Sequence, residues 1–244
     1  MGFIRQQFVQ GAMVLRDDVH FRRWVDAFGV NVIKYDNDFV YGPSTDAAFD
    51  SAGEWTITRV EGGAGESTIT RVDGVGGLLR ITSDAADNDG VNMQLAGESF
   101  RLTTARQLYF GCFGLTLSEA TQSDFFVGLA ITDTDILGGV TDRIGFEKLD
   151  ASTDIGFMVE KNSTETKSSA IATLAAATAV DLEFFWDGPN SELQVFVNGA
   201  SVTAPAITNL PDDEELSLSL QCLAGSTTAK TFDVDRIRVI QIGR

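Results

Sequence analysis

The side chains best suited to chemistry are those of two acidic stretches, DAADNDG at 84–90 and DTD at 133–135. Calcium is bound by clusters of oxygen ligands, which include the carboxylates of Asp and the side-chain carbonyl of Asn in loops. Asp84, Asp87 and Asp89 do not follow the spacing of an EF-hand loop, and Asp and Asn also favour turns. We therefore predict turn residues here, and we assign no metal ligand and no cofactor. Structural calcium is the alternative.

Nucleophilic and transition-metal chemistry lack their usual residues. The chain has one histidine, His20, and two cysteines, Cys112 and Cys222, each within an apolar run. These residues effectively exclude a catalytic triad. A transition-metal site would have almost no ligands available. Two cysteines do not make a disulfide framework. We predict buried free thiols, with a single bridge as the alternative.

Glycoside hydrolysis needs two carboxylates at a fixed separation across the bond. Glucanases built on β-sandwiches typically carry them on one strand face as E-x-D-x-E or E-x-D-x-x-E, and no predicted strand here has that pattern. Glu183 and Asp187 are four residues apart with Phe185 between them, and Glu160 has no alternating partner. The sequence therefore predicts no catalytic residues and a protein that is not an enzyme.

The net charge disfavours two classes of partner. The 244 residues include 18 Lys and Arg against 35 Asp and Glu, which gives a net charge of −17. Nucleic acids and anionic membranes favour cationic surfaces, so we expect neither as a partner. The charge is uneven, because residues 1–34 carry +2 and the rest of the chain carries −19. No apolar run is long enough to span a membrane.

Residues 1–46 are predicted to form an arm with one short helix. Apolar residues at helical spacing follow Asp17 and Asp18, and Gly29 ends the run. This pattern predicts a helix over 18–28 with an aspartate at its N-cap.

The arm also holds the candidate contact residues. Aromatic and arginine side chains are enriched where interfaces carry their binding energy. The candidates for contact with a capsid or with sister subunits are Phe3, Phe8, Arg22, Arg23, Trp24 and Phe28. The alternative is that the arm packs onto the rest of its own chain.

The pattern of residues 47–244 predicts successive β-strands. In LEFFWDGPNSELQVFVNG, 182–199, apolar residues alternate with polar ones on both sides of a D-G-P-N turn, which is typical of a β-hairpin. The predicted strands are 56–60, 68–72, 78–82, 91–95, 106–117, 124–132, 143–147, 153–161, 168–173, 179–186, 192–197, 216–222 and 231–242. TITRV occurs at 56–60 and again at 68–72, which predicts two adjacent strands. The fold class is all-β, a two-sheet antiparallel jelly-roll sandwich.

Four segments carry a resemblance to structural proteins of tailed-phage virions. They are FWDGPNSELQVFVNG, TNLPDDEEL, LQCLAGSTTAKTFDVDRIRVIQ and DFFVGLAITDTDILGGVTDRIGF. Such proteins are capsid decoration or head proteins on a concanavalin A-like sandwich. The resemblance implies a non-enzymatic decoration subunit on the capsid surface, made in the host cytoplasm. It would bind the major capsid protein through its arm and form a homo-oligomer, with a trimer favoured.

The W-D-G turn and V-N-G end of the hairpin also resemble the wider lectin and laminin-G superfold. That resemblance implies the alternative function, a carbohydrate-binding module or adhesin for a host-surface glycan. Sugar sites usually contain exposed aromatic rings. Trp186 is in phase with the apolar Leu182 and Phe184, and Trp24 lies in the predicted helix, so Trp55 is the tryptophan free to stack on a sugar.

Overall fold

The computed structural model describes residues 4–20, 22–61, 65–74 and 76–243. One α-helix, α1, spans Asp46–Ala52. The strands are β1 (Ile4–Val9), β2 (Ala12–Asp17), β3 (Trp24–Phe28), β4 (Val32–Asn37), β5 (Trp55–Val60), β6 (Thr68–Val72), β7 (Leu78–Thr82), β8 (Gly90–Leu95), β9 (Gln107–Leu117), β10 (Ser123–Ala130), β11 (Arg143–Lys148), β12 (Asp154–Lys161), β13 (Thr164–Thr173), β14 (Val180–Asp187), β15 (Glu192–Val197), β16 (Ala200–Val202), β17 (Ser217–Ala224), β18 (Thr231–Val234) and β19 (Arg236–Ile242).

Two large antiparallel sheets form a sandwich. One has seven strands in the order β13-β12-β11-β10-β17-β8-β5. The other has nine strands. Seven of them follow the order β16-β15-β14-β9-β18-β7-β6, and the remaining two are β19, which pairs with β9, and β4, which pairs with β19. The predicted all-β antiparallel fold class with one short helix is therefore confirmed.

The main core lies between these two sheets. In β14, Leu182, Phe184 and Trp186 point into it, as their period-two spacing predicts. The ring of Phe184 stacks on Phe110 at a centroid distance of 4.9 Å and meets Phe157 edge-on at 5.4 Å. Trp186 is therefore a core residue, as the sequence indicated.

The two cysteines lie in the same core, on opposite sheets. Cys112 belongs to β9 and Cys222 to β17, and both are buried free thiols, which confirms the prediction. Burial raises the pKa of each thiol because the thiolate would have to lie among apolar side chains.

A third, small sheet covers the outer face of the nine-stranded sheet. It consists of β1, β2 and β3 in that order. Its buried side chains form a second apolar cluster with outward-facing side chains of the sandwich. The cluster contains Ala12, Val14, Trp24 and Ala27 of the small sheet and Tyr109, Phe185, Phe196, Ile240 and Ile242 of the sandwich. The part of the nine-stranded sheet formed by β9, β14, β15 and β19 is thus covered on both faces.

The predicted helix over 18–28 is wrong. Residues 24–28 form β3, which pairs with β2. A turn precedes β3, in which a carboxylate oxygen of Asp17 accepts the N–H groups of Val19 and His20 at 2.7 and 3.1 Å. Asp17 therefore stabilises a turn and does not cap a helix. Ladder hydrogen bonds and the burial of Trp24 outweigh the local helical spacing.

The small sheet ends at Phe28, before the predicted arm boundary at residue 46. β4 pairs with β19 along its whole length, so it belongs to the sandwich. The helix of the described chain is α1, which buries Phe49 and ends at Gly53 with φ of 71°. Within the described ranges, no helix is long and apolar enough to cross a membrane.

The sequence predicted that the two TITRV segments form adjacent strands, and this prediction is wrong. The first lies in β5, which pairs with β8 at one edge of the seven-stranded sheet. The second forms β6, which pairs with β7 in the nine-stranded sheet. Their identical sequences therefore occupy edges of opposite sheets, because each segment pairs with a different distant strand.

Candidate functional site

Two of the predicted contact residues lie on the outward face of the small sheet. Phe8 is 77% exposed and Phe28 is 46% exposed. Both lie opposite Met13 of β2, so they share a face. Ile4, four residues before Phe8 on the same strand, is 61% exposed there too. Phe3 lies outside the described residues, and a contact of this face with a partner stays a prediction.

Arg23 instead binds a buried carboxylate of its own chain. Glu183 lies on the outer face of β14, with its side chain 1% exposed. Arg23 Nε and Nη2 donate to it at 3.0 and 2.7 Å, and the Tyr109 hydroxyl donates at 2.5 Å. Burial raises the pKa of Tyr109, and the negative charge of Glu183 raises it further, so Tyr109 stays a neutral donor.

Arg22 and Trp24 also face the sandwich. Both Nη atoms of Arg22 donate to the carboxylate of Glu192 in β15. The ring of Trp24 is 4% exposed and meets the ring of Phe185 edge-on at 5.1 Å. Arg22, Arg23 and Trp24 therefore attach the small sheet to its own sandwich, which was the alternative interpretation of the arm.

This attachment leaves a cleft of about 300 Å³ where the small sheet meets the β14–β15 hairpin. We call it the hairpin cleft. It is lined by Gln7, Val9, Arg22, Trp24, Gln107, Phe185, Asp187 and Asn190. Asp187 and Asn190 come from the D-G-P-N turn. Gly188 lets this turn approach the chain, because a Cβ atom there would lie 2.0 Å from the Thr103 carbonyl oxygen.

Asp187 organises the polar side of the hairpin cleft. Its Oδ1 accepts a hydrogen bond from Gln107 Nε2, and its Oδ2 accepts one from Asn190 Nδ2, both at 2.9 Å. The first of these bonds orients the Gln107 amide. Gln107 Oε1 is then buried and accepts no hydrogen bond from the described residues. A buried acceptor without a donor is costly, so a bound hydroxyl or amide group would be favourable here.

The two acidic loops of the sequence analysis meet at a second cleft, of about 330 Å³, which we call the acidic cleft. Its polar lining includes Asn88, Asp124, Asp135 and Asp150, and its apolar lining includes Val60, Leu137, Leu149 and Leu223. Asp133 Oδ1 accepts the N–H of Asp135 at 2.9 Å, which is the turn geometry that was predicted. Among the described residues, no group of three His, Cys, Asp or Glu side chains is placed to hold a metal ion.

Asp124 is deeply placed in the acidic cleft, with 6% of its surface exposed. Burial raises the pKa of this carboxyl group because the ionised form loses its hydration. The hydrogen bond that it accepts from the N–H of Asp150 offsets only part of that rise.

A further group of carboxylates lies on the outer face of β11 to β13. Arg143 Nε donates to Glu160 at 2.7 Å, and Arg143 Nη1 lies 3.5 Å from Glu147. Lys167 binds Glu147 from the other side, across Gly156. The sequence analysis missed this group because its members lie on different strands and meet only through cross-strand register.

Trp55 is not free to stack on a sugar. It is 5% exposed within the main core, and its ring meets Tyr35 edge-on at 5.7 Å. The aromatic side chains beside polar groups in the hairpin cleft are Trp24 and Phe185. Phe185 could have been found in the sequence, because apolar residues on both faces of one strand indicate a sheet covered on both sides.

Comparisons with solved structures identify the fold. An endo-1,3-beta-glucanase from Streptomyces sioyaensis matches with a TM-score of 0.63 and 14% identity, over 90% of this chain and 100% of that chain. A protein of unknown function from Shewanella oneidensis MR-1 matches with a TM-score of 0.61 and 15% identity, over 88% of each chain. Peanut lectin matches with a TM-score of 0.56 and 12% identity, over 86% of this chain and 97% of that chain.

This is a concanavalin A-like jelly roll. The predicted sandwich type is thereby confirmed. Identities of 12–15% show the shared fold alone. No protein-family model and no curated protein matches the chain.

The prediction that the protein is not an enzyme is corrected by the same comparison. It rested on the absence of a two-carboxylate motif from every predicted strand and on the scarcity of histidine and cysteine. The concanavalin A-like neighbours include endo-glucanases as well as lectins, so this fold does not exclude catalysis.

Replacing Arg23 should destabilise the protein through Glu183. Arg23→Met leaves the buried Glu183 carboxylate without its cation, and we expect a loss of roughly 2–4 kcal/mol in the free energy of unfolding. Urea unfolding followed by tryptophan fluorescence measures this loss. The control is Lys34→Met, which removes the more exposed Lys34–Asp26 pair and should cost less than about 1 kcal/mol. Equal losses in the two variants would contradict this role of Glu183.

Replacing Asp124 should stabilise the protein at neutral pH. The pKa of Asp124 is raised in the folded state, so its ionised form disfavours folding, and this penalty disappears as the pH falls through that pKa. Asp124→Asn keeps an acceptor oxygen and cannot ionise. We expect a higher free energy of unfolding than wild type at pH 7 and a smaller difference in acid, measured by urea unfolding. Asp154→Asn, at an exposed carboxylate, should change little. A destabilised Asp124→Asn at pH 7 would refute the argument.

Proposed function

We propose that this protein is a carbohydrate-binding β-sandwich that holds a sugar in the hairpin cleft. The observation that carries the proposal is the buried Gln107 Oε1, an acceptor without a donor on a residue that lines a cleft together with Trp24 and Phe185. This oxygen is closed to solvent, so a sugar hydroxyl supplies the missing donor only after side chains that line the cleft move aside. The lectins among the structural neighbours are consistent with this proposal at the level of the fold.

The remaining lining favours a neutral sugar. Asp187 is an acceptor for hydroxyl groups, and Asn190 and Gln7 carry amide donors and acceptors. The charge of Arg22 is already matched by Glu192 and Asp187, so no cation is left to select an anionic sugar. Trp24 and Phe185 are only 4% and 2% exposed, so they form the apolar bottom of the cleft and do not offer open ring faces for stacking.

A glycan array followed by isothermal titration calorimetry tests this function. We expect a neutral oligosaccharide to bind the wild type. Gln107→Met keeps the length of the side chain and removes both the acceptor and the Nε2 donor to Asp187. Affinity should fall at least about tenfold, which corresponds to the loss of one hydrogen bond to the sugar. Gln122→Met is the matched control, since that side chain is exposed and distant from the cleft. Failure of every neutral glycan to bind, or equal affinities of the two variants, would refute the proposal.

A second candidate is a subunit of a phage virion on the capsid surface, with the major capsid protein as its partner. It is supported by the segments that resemble tailed-phage structural proteins and by the exposed Phe8 and Phe28 on the outward face of the small sheet. Large exposed apolar side chains on one face are typical of contact surfaces.

Co-sedimentation with capsids of the phage that encodes the chain tests this candidate. Phe28→Ser should lower the bound amount several-fold, because it removes an apolar contact at the outward face. Val30→Ser is the control, since Val30 is 86% exposed in the turn after β3 and lies off that face. Wild type that stays in the supernatant would exclude this role.

A further inference from the structure

β1 is an edge strand without the features that usually block further pairing. It lies first in the order β1-β2-β3, and residues 4–8 are exposed. Its register with β2 runs from Ile4 to Val9 without a bulge, and its sequence IRQQFV contains no proline and a single charged residue, Arg5. Such an edge presents unpaired N–H and C=O groups to another strand.

Outer edges of the two large sheets are protected in ways that β1 is not. β13 is interrupted by a register shift, and β16 has three residues. α1 lies beside β5 and β6, where Asp46 accepts hydrogen bonds from Arg59 and from the N–H of Ile69 at 2.8 and 2.7 Å. Short length, bulges, charge and a covering helix are the usual ways to prevent pairing.

The β1–β2 turn determines which groups face the free edge. Gln10 and Gly11 form a two-residue turn with φ of 45° and 81°. The flanking pair, Val9 and Ala12, is then the hydrogen-bonded pair, and hydrogen-bonded and non-hydrogen-bonded pairs alternate away from it. The backbone groups of Ile4, Gln6 and Phe8 therefore point away from β2.

Antiparallel pairing of β1 with β1 of a second copy uses all of these groups. A twofold axis at Gln6 sets Gln6 opposite its own copy and Ile4 opposite Phe8, with about six backbone hydrogen bonds. The exposed apolar side chains then form cross-strand pairs. Registers shifted by two residues are worse, because they set Arg5 against its own copy or Phe8 against Gln6.

The charge distribution favours the same surface. Residues 1–34 carry a net +2, and the rest of the chain carries −19. Two copies that meet through β1 bring together the parts with the least mutual repulsion, while the acidic bodies lie side by side beneath the shared sheet. Salt screens the remaining repulsion between the bodies and should strengthen this association.

We propose that two copies of this chain pair through the free edges of β1 to form a continuous six-stranded sheet. The twofold axis is perpendicular to that sheet, so the outward faces of both copies lie on one side. Phe8 and Phe28 of both copies then belong to one apolar surface. This pairing is twofold and differs from the trimer that the virion resemblance favours.

Sedimentation equilibrium of the full chain tests the pairing. We expect a reversible dimer in the micromolar range that is strengthened by salt. Gln6→Pro removes an edge N–H group without removing a bond to β2, so it should yield monomer. Gln6→Ala keeps the N–H group and should remain dimeric. A wild type that is monomeric at all salt concentrations, or a trimer, would overturn the proposal, and so would a dimer that Gln6→Pro leaves intact.

Cross-linking provides a test that does not depend on proline. The native cysteines are buried, so Gln6→Cys introduces the one accessible thiol among the described residues. Hydrogen-bonded antiparallel pairs have Cα atoms about 5.5 Å apart, within the range of a disulfide. Mild oxidation should convert Gln6→Cys mainly to a covalent dimer. Val30→Cys, which is equally accessible and away from the edge, should stay mainly monomeric, and equal cross-linking of both variants would also overturn the proposal.

Discussion

A single buried carboxylate, Glu183, constrains much of this structure. It lies on the outer face of β14, in the middle of an apolar surface that includes Phe185 and Tyr109. A charge in such a place is tolerated when it is paired and hydrogen-bonded, which Arg23 and the Tyr109 hydroxyl accomplish together. Arg23 can reach Glu183 only if the small sheet lies on the sandwich. The ion pair therefore specifies where β1 to β3 dock, and the apolar cluster around it supplies contact area.

This docking creates the hairpin cleft. Neither of its walls would be a binding site alone, because the β14–β15 turn offers Asp187 and Asn190 on an open surface and the small sheet offers Trp24. Together they surround Gln107, whose Oε1 is left without a donor. The concanavalin A-like fold is shared by glucanases and lectins, so the fold alone does not assign a function. The proposed sugar site depends on side chains from both the small sheet and the sandwich.

Much of the sandwich could be predicted from local patterns, and the N-terminal segment could not. The alternation of Leu182, Phe184 and Trp186 and the D-G-P-N turn predicted the hairpin, and the predicted strands from residue 78 onward correspond closely to observed ones. Trp24 and Phe28 were assigned to a helix because they are four residues apart, which is the spacing of side chains on one face of an α-helix. Pairing with β2 decided otherwise, since a five-residue segment gains more from a sheet ladder and from burial than from an isolated helix.

The sequence by itself determined most strand positions from residue 55 onward, the turns between them, the buried cysteines and the uneven charge, because these depend on residues close together in the chain. The tertiary structure decided that the two TITRV segments lie in opposite sheets, that Trp55 is buried, and that Arg22, Arg23 and Trp24 face their own sandwich. It also brought Gln107 beside Asp187, 80 residues away. These outcomes depend on which distant strands pair, and a local pattern that fits several partners cannot choose among them.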